Sequence, residues 1–116
     1  MSSVAGRNVM KRAIGFLRRD ISGDDREVDE KAINDLAAAE GYRVDTIVTV
    51  GPEVPHPFSR ILVAVSRTDA DVVITPSHVH VADFARALLV VADLIIITPH
   101  QTLRRGVRHS AESDRP

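Results

Sequence analysis

The chemically capable side chains of this 116-residue sequence fall just after short apolar runs. Arg18 and Arg19 follow Ala13–Leu17; Thr75, Ser77 and His78 follow one Val/Ile run; Thr98 and His100 follow another. The last two segments read alike, Asp-Val-Val-Ile-Thr-Pro-Ser-His over 71–78 and Asp-Leu-Ile-Ile-Ile-Thr-Pro-His over 93–100. If both runs are adjacent parallel strands, two hydroxyls and two imidazoles line one edge beside two arginines. Such a set is a candidate anion or ligand site, able to hold a phosphate or carboxylate through charge-assisted hydrogen bonds. The plainer reading is that Thr-Pro ends two strands in the same way. Asp20, Ser77 and His78 at the same ends would also serve a small hydrolase or transferase.

Other chemistries find no support. His78 and His80 form a His-x-His pair, with His56, Asp83 and His100 elsewhere, but a metal needs three converging ligands and a second shell, so no metal is expected. Ser22, Ser59, Ser66 and Ser77 lie outside any Gly-x-Ser-x-Gly elbow, and no catalytic residue is assigned. Six scattered glycines build neither a dinucleotide fingerprint nor a phosphate-cradling loop, and no cofactor is expected. The absence of cysteine removes disulfides, thiolate metal sites and cysteine nucleophiles, and suits a reducing cytoplasm.

The elements that must position these residues follow from periodicity and punctuation. Residues 1–10 lack periodicity and read as a flexible arm, ahead of a domain over 11–100. Ala13–Leu17 is a first strand. Asp24 with Glu27 has capping-box character, Val28, Ala32, Ile33, Leu36 and Ala39 make an apolar helical face, and Gly41 is the stop. Val44–Val50 is a β-branched strand closed by Gly51-Pro52. Pro57 opens a second helix with Phe58, Ile61, Leu62 and Val65 inward. Asp71–Thr75 is a buried strand; Val81, Phe84, Ala85, Leu88 and Val91 give a third helical face; Leu94–Thr98 is a last strand. From Gln101 to Pro116 the chain is polar and aperiodic, a tail expected to be disordered. The order β-α-β-α-β-α-β implies a three-layer α/β/α sandwich around a mainly parallel four-stranded sheet.

Composition agrees with one domain. The hydrophobic fraction of 44% is that of a globular chain, and aromatics at 3% leave the core to Val, Ile, Leu and Ala. The N-terminus shows no apolar stretch of signal-peptide length, and the longest apolar run, Ala87–Ala92, is far too short for a membrane span, so a cytoplasmic protein without a membrane partner is expected. Net charge is −1, which disfavours a generic nucleic-acid binder. The charge is unevenly placed, however. Arg7, Lys11, Arg12, Arg18 and Arg19 precede every acid, Asp20 to Glu30 is acidic, and Arg104, Arg105 and Arg108 sit in the tail. The two ends could form one basic surface, or simply solubilising charge.

The run Ala13-Ile14-Gly15-Phe16-Leu17-Arg18 resembles the first strand of serine recombinases of the resolvase/invertase family, which carries an arginine and then the nucleophilic serine. The helix ending in Ala-Ala-Glu-Gly-Tyr (38–42) and the strand Ala70–Ile74 are similar in kind and spacing, so the resemblance spans about residues 12–98. It implies a resolvase-like (flavodoxin-like) topology with a degenerate active site. The family's arginine falls on Arg18, but its serine falls on Asp20. Where the family has Leu-Asp-Arg-Leu-Ser/Gly-Arg, this chain has His78-Val79-His80-Val81-Ala82-Asp83. Phosphoryl transfer relies on guanidinium groups to stabilise the transferred charge, and two acids in their place would repel it. Three functions follow as expectations. The first is a non-catalytic resolvase-like module acting through a protein partner or as a homo-oligomer. The second is a nucleic-acid-binding accessory protein using the basic arm and tail. The third is the hydrolase or transferase above.

Overall fold

In the computed structural model, residues 11–106 are described; the expected N-terminal arm and most of the polar tail lie outside them. The first strand, β1 (Lys11–Arg18), is longer than its apolar centre, and every residue from Ala13 to Leu17 is buried. A one-turn helix, α1 (Arg19–Ser22), and a 3-10 turn over Gly23–Asp25 lead into α2 (Arg26–Glu40). The cap position falls on Asp25, whose side chain makes no capping bond, so the capping box expected from Asp24 and Glu27 does not form. Gly41 ends α2 in the left-handed conformation at φ 81°, its N–H reaching the Ala37 and Ala38 carbonyls, as the glycine stop requires.

The edge strand β2 (Tyr42–Val50) follows, then a Gly/Pro-rich loop and α3 (Pro57–Thr68), with Pro57 in the first turn, where its missing N–H costs nothing. The inner strands β3 (Val72–Thr75) and β4 (Asp93–Ile96) flank α4 (Ala85–Val91), which is preceded by a 3-10 turn at His78–His80. The sheet has five strands rather than four, in the order β2-β1-β3-β4-β5. The fifth, β5 (Gln101–Leu103), runs antiparallel to β4, pairing Leu94 with Leu103 and Ile96 with Gln101. The expected unstructured tail thus begins instead with a strand. Three residues with one apolar side chain carry no readable period, and the order comes from the open edge of β4. Beyond β5 the Gly106 N–H bonds to the Leu89 carbonyl at 2.9 Å.

Helices cover both faces. On one, α2 sets Ile33 and Ala37 against Ala13, Leu17, Val72, Ile74 and Ile95. On the other, α3 and α4 pack Ile61 and Leu88 against Ile14, Phe16, Val73, Leu94 and Ile96. The three phenylalanines of the chain meet there: Phe84 lies edge-on to Phe16 at 5.7 Å and stacked on Phe58 at 5.5 Å. Gly15 sets how close α2 comes, because a Cβ there would sit 2.9 Å from Ile33 Cγ2 and 3.0 Å from Ile47 Cγ1. The parity of β2 changes midway. Val44 and Ile47 face α2 while Val48 and Val50 face α3, because a bulge slips the register between Ala13/Ile14 and the β2 partners Val44/Thr46.

Two helical faces differ from expectation. Val28 is 65% exposed, since α2 starts at Arg26 and turns Asp29, Ile33 and Ala37 inward instead. Leu62 is also exposed, with Ile61 taking the buried position on α3.

Candidate ligand edge at the strand carboxyl ends

The strand order reverses between the parallel neighbours β1 and β3, and in open α/β sheets the crevice at such a reversal is the usual ligand position. Arg18 closes β1. Its backbone N–H donates to His80 Nδ1 at 2.9 Å, while its Nε and Nη2 reach the two Asp20 carboxylate oxygens at 3.4 and 3.2 Å. Arg19 turns the other way, donating from Nη2 to Glu53 Oε2 at 2.8 Å. Its guanidinium lies against Gly51, where a Cβ would collide with it. The Glu53 backbone N–H and the Arg19 contact hold that carboxyl below the ordinary range. Both arginines are therefore matched by carboxylates of this chain.

The remaining candidates divide. Thr75 is fully buried, and its hydroxyl donates to the Phe16 carbonyl at 2.9 Å, tying β3 to β1. Ser77 is half-buried, and its carbonyl accepts the His80 N–H at 3.2 Å; His78 is exposed. Thr98 is exposed but adjacent, its N–H bonded to the Pro76 carbonyl at 3.0 Å. The two Thr-Pro segments are neighbours yet out of step, because Thr75 pairs with Ile96. His100 leaves the group: its Nε2 lies 3.9 Å from Glu40 Oε2, at the end of α2. Arg18, Thr75, Ser77 and Thr98 thus share the strand ends, while His100 does not join them.

Sequence reasoning missed the histidine that organises the edge. His80 is 2% exposed, and with Nδ1 accepting from Arg18 the neutral ring carries its proton on Nε2. Burial pushes its pKa below the ordinary value; Asp29 opposes this, Arg18 reinforces it and Asp20 opposes it. The available signal was position, since His80 directly precedes Val81, a fully buried core residue. Nearby, Ser22 donates to Asp29 at 2.6 Å, fastening α1 to α2, and is itself buried. Among the described residues no three His, Asp or Glu converge as metal ligands, and no helix is long and apolar enough to cross a membrane.

The expected single basic surface is divided. Lys11 and Arg12 start β1, while Arg18 ends it and Arg19 follows, roughly 20–25 Å away at the rise of a strand. Arg104 and Arg105 join the first pair, where Asp93 accepts from the Arg105 N–H and lies 3.5 Å from Arg104. Asp71 also sits there, accepting from the Arg12 N–H. Arg7 and Arg108 lie outside the described residues. No protein-family model matches the chain, and neither a curated protein nor a solved structure matches it at a significant level.

Proposed function

We propose that this chain is a resolvase-like domain without catalytic function that works by protein association, as a homodimer. The observation that carries this reading is the Arg18–Asp20 pair. The resemblance puts Asp20 where a recombinase carries its nucleophilic serine, and here that carboxylate occupies the guanidinium which phosphoryl transfer would need free. His80 and Asp83, at the positions of the family's arginines, supply no replacement charge. His80 is buried against the β1 backbone, and Asp83 is an acid. The strand order β2-β1-β3-β4 supports a flavodoxin-like topology for the parallel part of the sheet.

The test pairs light scattering with duplex-DNA retention and nicking at low and high salt, for the wild type and Asp20→Ala. The expected wild type is a dimer that neither retains nor nicks DNA, while Asp20→Ala, with Arg18 unpaired, gains salt-sensitive retention. Wild-type retention falling steeply with salt would favour the nucleic-acid reading instead. A strictly monomeric wild type would remove the association reading.

A further inference from the structure

The turn after β3 is fastened to the rest of the fold through one side chain. Thr75 before it and Val81 after it are fully buried. Of the residues Ser77, His78, Val79 and His80 between Pro76 and Val81, only His80 is buried; Ser77 is half-buried and the other two are exposed. The backbone bonds of the turn stay local, from the His80 N–H to the Ser77 carbonyl and from the Val81 N–H to the His78 carbonyl. Among the described residues, the hydrogen bond that leaves Ser77–His80 is the one His80 Nδ1 accepts from the Arg18 N–H, at 2.9 Å.

That bond exists only while Nδ1 carries no proton. A proton there sets two N–H donors against each other and places charge on a ring that is 2% exposed. Charged groups face the ring from three elements. The Arg18 guanidinium of β1 repels an imidazolium, while Asp20 of α1 and Asp29 of α2 attract one. Both carboxylates are already engaged, Asp20 by Arg18 and Asp29 by the Ser22 hydroxyl. On the turn itself His78 is exposed.

We propose that His80 is an acid-sensitive latch, which holds the Ser77–His80 turn against the end of β1 while neutral and lets it swing out when Nδ1 is protonated, with the sheet still folded. The latch stands on this geometry and does not depend on the association reading. Opening disturbs little else, because the other side chains of the turn are already half or more in solvent. Thr75, bonded to the Phe16 carbonyl, and Val81, in the core under α3 and α4, fix its two ends. The turn follows β3 at the reversal of strand order, so its release opens the crevice at the strand ends.

Amide hydrogen exchange of the nitrogen-15-labelled wild type, followed by NMR from about pH 7.5 to 5 and corrected for the intrinsic rate, tests the latch. Opening at the Arg18 amide is expected to rise by up to about tenfold for each pH unit below 6.5, while Val73 and Leu94 in the core strands keep their protection. His80→Asn, which offers an amide oxygen near the Nδ1 position and does not titrate, is expected to remove that dependence. Arg18 protection that ignores acid overturns the latch. So does protection lost in step with Val73 and Leu94, which marks global unfolding. The same acid dependence in a folded His80→Asn places the trigger on another group and overturns it as well. If His80→Asn does not fold, the ring nitrogen shifts of wild-type His80 decide: protonation with the midpoint of Arg18 opening supports the latch, and a different midpoint overturns it.

Discussion

The bond from the Arg18 N–H to His80 Nδ1 joins the end of β1 to the loop after β3, and replacing His80 should expose what it contributes. His80→Ala removes the acceptor and leaves a partly buried N–H unpaired, which costs about 1–2 kcal/mol. The space left by an imidazole that is 2% exposed adds roughly 1–2 kcal/mol, for a total near 2–4 kcal/mol. Asn places its Oδ1 close to where Nδ1 stood, so His80→Asn should recover the hydrogen-bond part and lose only packing. The pH dependence has a definite sign. Burial lowers the folded-state pKa below 6.5, so the unfolded chain binds the proton first on acidification. The stabilisation from neutral His80 is complete above about pH 6.5 and is lost as pH falls from there towards the lower folded value. Each pH unit that separates the folded and unfolded pKa values is worth about 1.4 kcal/mol. With no tryptophan and one tyrosine, urea unfolding is best followed by far-ultraviolet circular dichroism, at pH 7.5 and at steps below 6.5. The difference between wild type and His80→Asn should shrink with acid. Equal damage from Ala and Asn, or an acid dependence that persists in His80→Asn, would refute the bond's role.

Other substitutions separate packing from charge. Gly15→Ala should lose about 1–3 kcal/mol in urea unfolding, since its Cβ would press on Ile33 and Ile47 in the interface between α2 and β1. Leu88→Ala, in the α4 core, should lose about 2–5 kcal/mol by the same assay. Thr75→Val should cost about 1 kcal/mol by removing the hydroxyl that bonds the Phe16 carbonyl, and should leave DNA retention and dimer mass unchanged. Gly51→Ala should displace the exposed Arg19–Glu53 pair, with the lost contact visible as a rise in the Glu53 pKa by NMR.

What the sequence made legible was whatever a period or a breaker records. The alternation of strands and helices, the αL stop at Gly41 and Pro57 in the first turn of α3 all stand on local chemistry, and all are present. Features set by distant contacts were not legible. Leu103 is a strand residue only because β4 offers it an edge. Val28 counted as apolar and so as inward, but the start of α2 at Arg26 fixes its phase and turns that side chain out. The bulge in β2 depends on register with β1, which no window within β2 can reveal. The candidate site shows the same division. The βαβ order places Arg18, Thr75, Ser77 and Thr98 at the carboxyl ends of their strands, and that much a strand pattern can show. That Asp20 and Glu53 occupy the arginines, and that His80 rather than His78 is buried, are outcomes of side-chain packing across β1, β3 and the loop after β2.

The central claim is that the strand-end guanidinium groups are occupied within the chain, leaving a domain that associates with its own kind rather than with phosphate. Light scattering of the wild type with duplex DNA at low salt tests it most directly. The expected result is a particle of twice the 12.7 kDa chain mass, separate from the DNA. A particle of single-chain mass, or protein that migrates with the DNA until salt releases it, would contradict that claim.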